Sequence, residues 1–178
     1  WWFRSSSPCA VFGGFAYWPT SGTPDATNGG GSVGTGTGSF FLVWTSVWAL
    51  MYACLIPGKG ALNKGPVVAV IYTVILIAAS VVYLRMNNHG WESNSTLAIG
   101  VGGGIGWILF MHVWGIIWRI NKKLIRWNQD FAANGTAIPA EAAALARIGF
   151  LASRTNFWLS FPMLFLMGAA SHWPAFGR

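Results

Sequence analysis

PVVAVIYTVILIAASVVYL, residues Pro66 to Leu84, decides the fold class. It carries no charge and no glycine, and aliphatic side chains fall on every face of the helix it would form. A helix at a water boundary needs a polar stripe. This one has none, so lipid is its expected solvent. A spanning helix takes roughly 20 mostly apolar residues, which this stretch supplies. Pro66 suits a first helical turn, where its missing N–H has no partner to lose, and Arg85 marks the far edge.

Three more apolar stretches flank it. The first runs over residues 39–56 and stops at Pro57-Gly58; another runs over 96–118 and stops at Arg119. The last, TNFWLSFPMLFLMGAASHWP (Thr155 to Pro174), has a shorter apolar core from Phe157 to Ala170. It reaches spanning length, over 155–173, only by including Thr155-Asn156 or Ser171-His172-Trp173. The expected fold is therefore an all-α integral membrane protein, with four transmembrane helices in one domain over residues 39–178.

Composition agrees. The chain has 178 residues, of which 54% are hydrophobic and 8% charged, against about 25% charged in soluble domains. The 12 tryptophans suit membrane boundaries, where indole tolerates both hydrocarbon and headgroups. The net charge of +7 lies mostly beside apolar runs, so orientation in a membrane explains it without nucleic acid. Cys9 and Cys54 form no C-x-x-C or C-x-x-C-H, which removes zinc ribbons, thioredoxin-type motifs and c-type haem attachment.

Residues 1–38 read as an aromatic, then Gly/Ser/Thr-rich arm (PTSGTPDATNGGGSVGTGTG over Pro19 to Gly38). Such a segment cannot bury enough apolar area to fold alone. It is a flexible linker or, the favoured reading, an extended arm ordered by a partner.

Loop charges set the orientation. Arg119, Lys122, Lys123, Arg126, Arg147 and Arg154 follow the third stretch, and Lys59 and Lys64 follow the first. By the positive-inside rule both connections are cytoplasmic, and RMNNHGWESNS faces outward with both chain ends. RINKKLIRWNQDFAANG continues the third helix past the membrane and ends at Asn134-Gly135, residues that tolerate a left-handed stop. PAEAAALARIGFLAS then forms a short amphipathic cytoplasmic helix leading into the fourth span, with Pro139 and Glu141 at its start.

Within the third span, Gly100 and Gly104 form one G-x-x-x-G pair and Gly102 and Gly106 another. In lipid this spacing admits a close helix neighbour; no phosphate-loop pattern is present. Pro162 deletes a backbone bond to Trp158, which a neighbouring helix can compensate, so it too reads as a packing feature. His112 lies inside the third span and His172 at the outer end of the fourth. An imidazole inside a membrane could ligate haem iron or the magnesium of a bacteriochlorophyll, so both are candidate cofactor-binding residues. The heavier alternative for His112 is a histidine hydrogen-bonded to a neighbouring helix. The carboxylates, Asp25, Glu92, Asp130 and Glu141, all lie outside the spans, which leaves acid–base catalysis and ion coupling poorly supplied. Asn94-Ser95-Thr96 and Asn134-Gly135-Thr136 match glycosylation sequons, as short motifs often do by chance.

NKKLIRW after the third span, followed by SRTNFWLSFPMLFLMGAASHWP, resembles the membrane region of the urate oxidase N-terminal family, the membrane-bound, cytochrome-linked urate oxidases of bacteria. The matching positions are Arg154, Asn156, Trp158, Leu159, Ser160, Pro162, Leu164 to Met167, His172, Trp173 and Pro174. The resemblance covers about the last two-fifths of the chain. It implies a bacterial inner or intracytoplasmic membrane, with both termini on the periplasmic side. The family's enzymes are larger, carry more spans, and add a haem-binding cytochrome domain. This sequence has no C-x-x-C-H and lacks the histidine-bearing helices of the family's N-terminal half, so the resemblance implies a shared scaffold and urate oxidation is not carried over.

Two functions are expected in order. The first is a non-catalytic accessory subunit packed against other integral membrane subunits of a photosynthetic (reaction centre–light-harvesting) or respiratory complex, with bound lipid, carotenoid or bacteriochlorophyll. The second is a haem-binding membrane redox protein using His112 or His172. A small passive transporter is a third.

Overall fold

The computed structural model describes residues 32–56, 64–87 and 92–176, with six isolated positions outside these ranges (9, 12, 14, 62, 89 and 90). Most of the expected N-terminal arm lies outside the described residues, as do Pro57, Gly58 and Lys59. Every regular element among the described residues is helical: α1 (Val33–Leu55), α2 (Gly65–Asn87), α3 (Asn94–Met111), a π-helical turn (His112–Ile117), α4 (Trp118–Asn134) and α5 (Ala142–His172). Helix α3 passes through the π turn into α4 without a break. Gly135, at φ 67°, ends α4 in the left-handed conformation, its N–H bonded to the Phe131 carbonyl.

Three helices are long and apolar enough to cross a membrane: Gly36–Leu55, Gly65–Asn87 and the continuous Asn94–Asn134. The architecture is therefore that of a multi-pass membrane protein. Helix α5 is not among the three. Arg147, Arg154, Asn156 and His172 lower its average hydropathy, so its crossing is a matter for proposal. Two boundaries also differ from expectation. Helix α1 starts at Val33, so residues 33–38 are helical. The amphipathic lead-in is no separate helix: it and the fourth apolar stretch form one 31-residue helix running through Pro162.

Packing follows helical spacing. Phe40, Trp44, Val47, Met51 and Leu55 form the buried seam of α1, and Val68, Tyr72, Leu76, Ala79 and Tyr83 that of α2. Each recurs at three- or four-residue steps, the period of one helix face. Tyr72 Oη donates to the Met51 carbonyl at 2.6 Å, and Ser39 Oγ to Asn87 Oδ1 at 3.0 Å, tying α1 to α2 near both ends. Helix α3 is central: 56% of its most apolar window is buried within the chain, against 22% for α2.

The glycines of α3 make that centrality sterically feasible. On one face the Trp44 indole lies directly on Gly104 and the Tyr83 ring on Gly100. On another face a Cβ at Gly102 would stand 3.0 Å from Leu166 Cβ and 3.5 Å from the Met163 carbonyl oxygen, and one at Gly106 would stand 3.4 Å from Met163 Sδ. Both G-x-x-x-G pairs are thus used, one toward α1 and α2, the other toward α5. Pro162 itself is exposed; the packing expected of it is performed by its neighbours Met163 and Leu166.

Replacing Gly104 by Ala should force the Trp44 indole to move and cost about 1–3 kcal/mol. Gly168→Ala, where nothing lies within 4 Å of the new methyl, should be neutral or stabilising by up to about 1 kcal/mol through helix propensity. Thermal unfolding in mild detergent separates the two; equal midpoints would refute the packing assignment.

Candidate functional site: a buried histidine–asparagine clasp

His112 is the largest polar side chain buried with no exposed surface. It sits where α3 enters the π turn, and its backbone N–H reaches the carbonyls of Ile108 and Leu109. Such turns leave the i→i−4 ladder locally out of register and often mark functional positions. Here a side chain from α5 enters. Asn156 Nδ2 donates to the Leu109 carbonyl at 3.1 Å, while Asn156 Oδ1 lies 2.8 Å from His112 Nδ1. An amide oxygen only accepts, so the proton of this bond is on Nδ1. In the neutral ring Nε2 then carries a lone pair. That atom is buried and has no hydrogen-bond partner.

A second clasp closes the other end of the same helix pair. Asn94, at the first position of α3, is buried. Its Nδ2 donates to the carbonyls of Trp173 (2.8 Å) and Ala169 (3.3 Å), and its Oδ1 accepts from the Phe176 N–H (2.9 Å). A side chain of α3 thereby ties down the last turn of α5 and the residues after it, adding a second donor to carbonyls that also accept from the Trp173 and Ala175 N–H groups. Ser93 Oγ accepts from the Thr96 N–H and caps α3 itself. The Asn94 sequon of the sequence reading is therefore no accessible acceptor.

The two candidate ligand histidines are not brought together. His112 pairs with Asn156, and His172 lies 16 residues further along α5, about 24 Å at the helical rise. His172 is exposed, its Nδ1 near the Gly168 carbonyl at 3.1 Å. The two cannot share one iron. A single-histidine site at His112 has the right donor, since ligating imidazoles commonly hold their other nitrogen in a hydrogen bond. It has no space: the ring is wholly enclosed, and a haem or chlorin must lie against Nε2. The residues present thus do not fit a macrocycle at His112. Among the described residues no group of three or more His, Cys, Asp or Glu could hold a metal ion.

Two further polar contacts act as a tie and a loop anchor. Trp107 Nε1 donates to Thr45 Oγ1 at 3.1 Å, linking α3 to α1. Glu92, which the sequence placed in a loop, is buried. Its carboxylate accepts from the backbone N–H groups of His89 and Gly90 and meets His89 Nδ1 at 2.6 Å.

No protein family, no characterised protein and no solved structure matches the chain. The resemblance to the membrane-bound urate oxidases rests on the residues quoted for it alone. One of them, Asn156, proves to be the partner of His112. Sequence reasoning placed Asn156 at the membrane boundary and missed the pairing. The signal was present: an amide in an apolar helix needs a partner, and so does a histidine in another.

Asn156→Ala should lower stability by about 1–3 kcal/mol, because it strands His112 Nδ1 and removes one of the donors to the Leu109 carbonyl. A double-mutant cycle with His112→Ala should return a coupling of roughly 0.5–2 kcal/mol; additive losses would dissolve the clasp. For Asn94, expression in a membrane that glycosylates should leave the chain unmodified at that residue by mass.

Proposed function

We propose that this chain is a non-catalytic structural subunit of a larger membrane assembly, crossing the bilayer four times. The observation that carries this reading is how the polar groups of the apolar helices are used. His112, Asn156, Asn94, Tyr72, Ser39 and Trp107 each bond from one helix to another. Side chains hydrogen-bonded from one helix to another act as glue within an apolar bundle.

The outward surface supports a partner role. Trp107, Phe110, Trp114 and Trp118 form a ring ladder along α3 and α4, with centroids 5.7, 6.4 and 6.1 Å apart. Phe157, Trp158 and Phe161 cluster on the exposed face of α5, and Phe165 stacks on Trp173. Flat aromatic faces of this kind suit other helices, carotenoids and chlorin rings. Photosynthetic and respiratory assemblies are the hosts proposed on that ground.

Support for a fourth crossing comes from length. The two asparagine clasps pin α5 to α3 at Asn156 and at Trp173, 17 residues apart. That is about 26 Å of helix, close to the roughly 30 Å hydrocarbon core, alongside a neighbour apolar enough to span. The bacterial inner or intracytoplasmic membrane, with periplasmic termini, is the setting proposed from the resemblance and the loop charges.

Solubilising native membranes in mild detergent and capturing the chain should recover it with other integral membrane proteins in one particle. A monodisperse, partner-free protein would overturn the subunit role. The alternative of a haem protein finds no room at the enclosed His112; a Soret band in the purified chain would overturn that exclusion.

A further inference from the structure

A cavity of about 480 Å³ lies between the start of α2 and the first half of α5. Gly65, Pro66, Ala69 and Thr73 form one wall; Arg147, Phe150, Arg154 and Trp158 form the other, and none of its lining residues is acidic. The Arg147 and Arg154 guanidinium groups each sit 5.5 Å from the centroid of the same Phe150 ring. One aromatic ring thus contacts both cations at the mouth of the cavity, seven residues or two turns apart on α5. Tyr72 and Leu151 contribute to the lining and are buried. Beyond the cavity, exposed Val70, Val74 and Ile77 of α2 and Phe161, Leu164 and Phe165 of α5 continue as apolar surface.

Charge and greasiness are therefore graded along one groove. Its cationic mouth coincides with the end of the bundle that carries Lys64, Arg119, Lys122 and Lys123. Its other end faces the hydrocarbon. We infer that the groove is a binding site for an anionic phospholipid, with the phosphate between Arg147 and Arg154, the glycerol level beside Trp158 and Thr73, and one acyl chain along the α2–α5 surface. A guanidinium pair engages phosphate oxygens in forked geometry. Trp158, 61% exposed, stands at the depth where indole favours the headgroup boundary. A free phosphate would use the arginines but not the apolar surface. A zwitterionic lipid would use the surface but set its own cation against the arginines. This inference is independent of the subunit role proposed above.

The test uses the full chain in nanodiscs of 20:80 and 0:100 phosphatidylglycerol to phosphatidylcholine, followed by native mass spectrometry of lipid retained after transfer to detergent. The wild type should retain phosphatidylglycerol in preference to phosphatidylcholine. Arg147→Gln or Arg154→Gln should each reduce that preference roughly fivefold, and the double variant about 25-fold. Lys122→Gln/Lys123→Gln removes the same charge from exposed positions of α4 and should leave the preference unchanged. Trp158→Ala should weaken retention without altering the lipid preference. Equal loss in the α4 variant would reduce the effect to general surface attraction and overturn the site, as would equal retention of the two lipids by the wild type. Displacement of bound lipid by millimolar inorganic phosphate would overturn the lipid assignment in favour of a free-anion site.

Discussion

Everything in this bundle depends on how closely α3 can be approached. Lipid tails are as apolar as leucine, so helices in a bilayer gain little from burying aliphatic surface against one another; contact distance and hydrogen bonds decide instead. The missing side chains at Gly100 and Gly104 let Tyr83 and Trp44 lie against the backbone of α3. Those at Gly102 and Gly106 bring the backbone of α5 near enough for the short arm of an asparagine to cross the gap. Asn156 reaches the Leu109 carbonyl, and Asn94 reaches that of Trp173, on either side of the Gly102 contact. Longer spacers at the glycines would leave both amides short of their acceptors. Packing and polar ties are thus one design.

The same pair of helices shows how backbone irregularity is tolerated in such a setting. A π turn disturbs the hydrogen-bond ladder, and an unsatisfied backbone group in hydrocarbon costs several kcal/mol. At Leu109, whose carbonyl also accepts from the His112 N–H, a side chain from the neighbouring helix supplies a further donor. On α5 two hydroxyls fold back on their own turn: those of Thr155 and Ser160 donate to the carbonyls of Leu151 and Phe157. Its polar groups face a partner or fold back on their own turn. They need not face lipid.

Much of the fold was legible because hydropathy and punctuation are strong signals. The second apolar stretch, its start at Pro66 and the left-handed stop at Gly135 are local features, and they emerged as read. Both G-x-x-x-G pairs were legible too, although sequence could not say that each serves a different neighbour. What stayed hidden was pairing between distant positions. His112 and Asn156 are 44 residues apart, and Asn94 and Trp173 79; no window along the chain contains either pair. The continuity of α5 was missed for a different reason. A change from amphipathic to apolar pattern reads as a boundary, yet a helix changes environment without breaking. Arg154 and Asn156 mark where that change occurs.

The exclusion of α5 from the helices that qualify by hydropathy is instructive in this light. Averaging over a helix assumes that every face meets the same solvent. On α5 the faces differ: Met163 and Leu166 pack onto α3 while Phe157, Trp158, Phe161, Leu164 and Phe165 point outward. Asn156, a costly polar residue at the start of the chain's last apolar stretch, leaves the balance because its amide is bonded to His112 and Leu109. The exposed side chains between Phe157 and Phe165 are apolar. On the proposed fourth crossing, insertion of α5 and its docking on the glycine face of α3 would be coupled steps. The proposed fourth crossing is therefore a property of the helix pair. The average composition of α5 alone does not determine it.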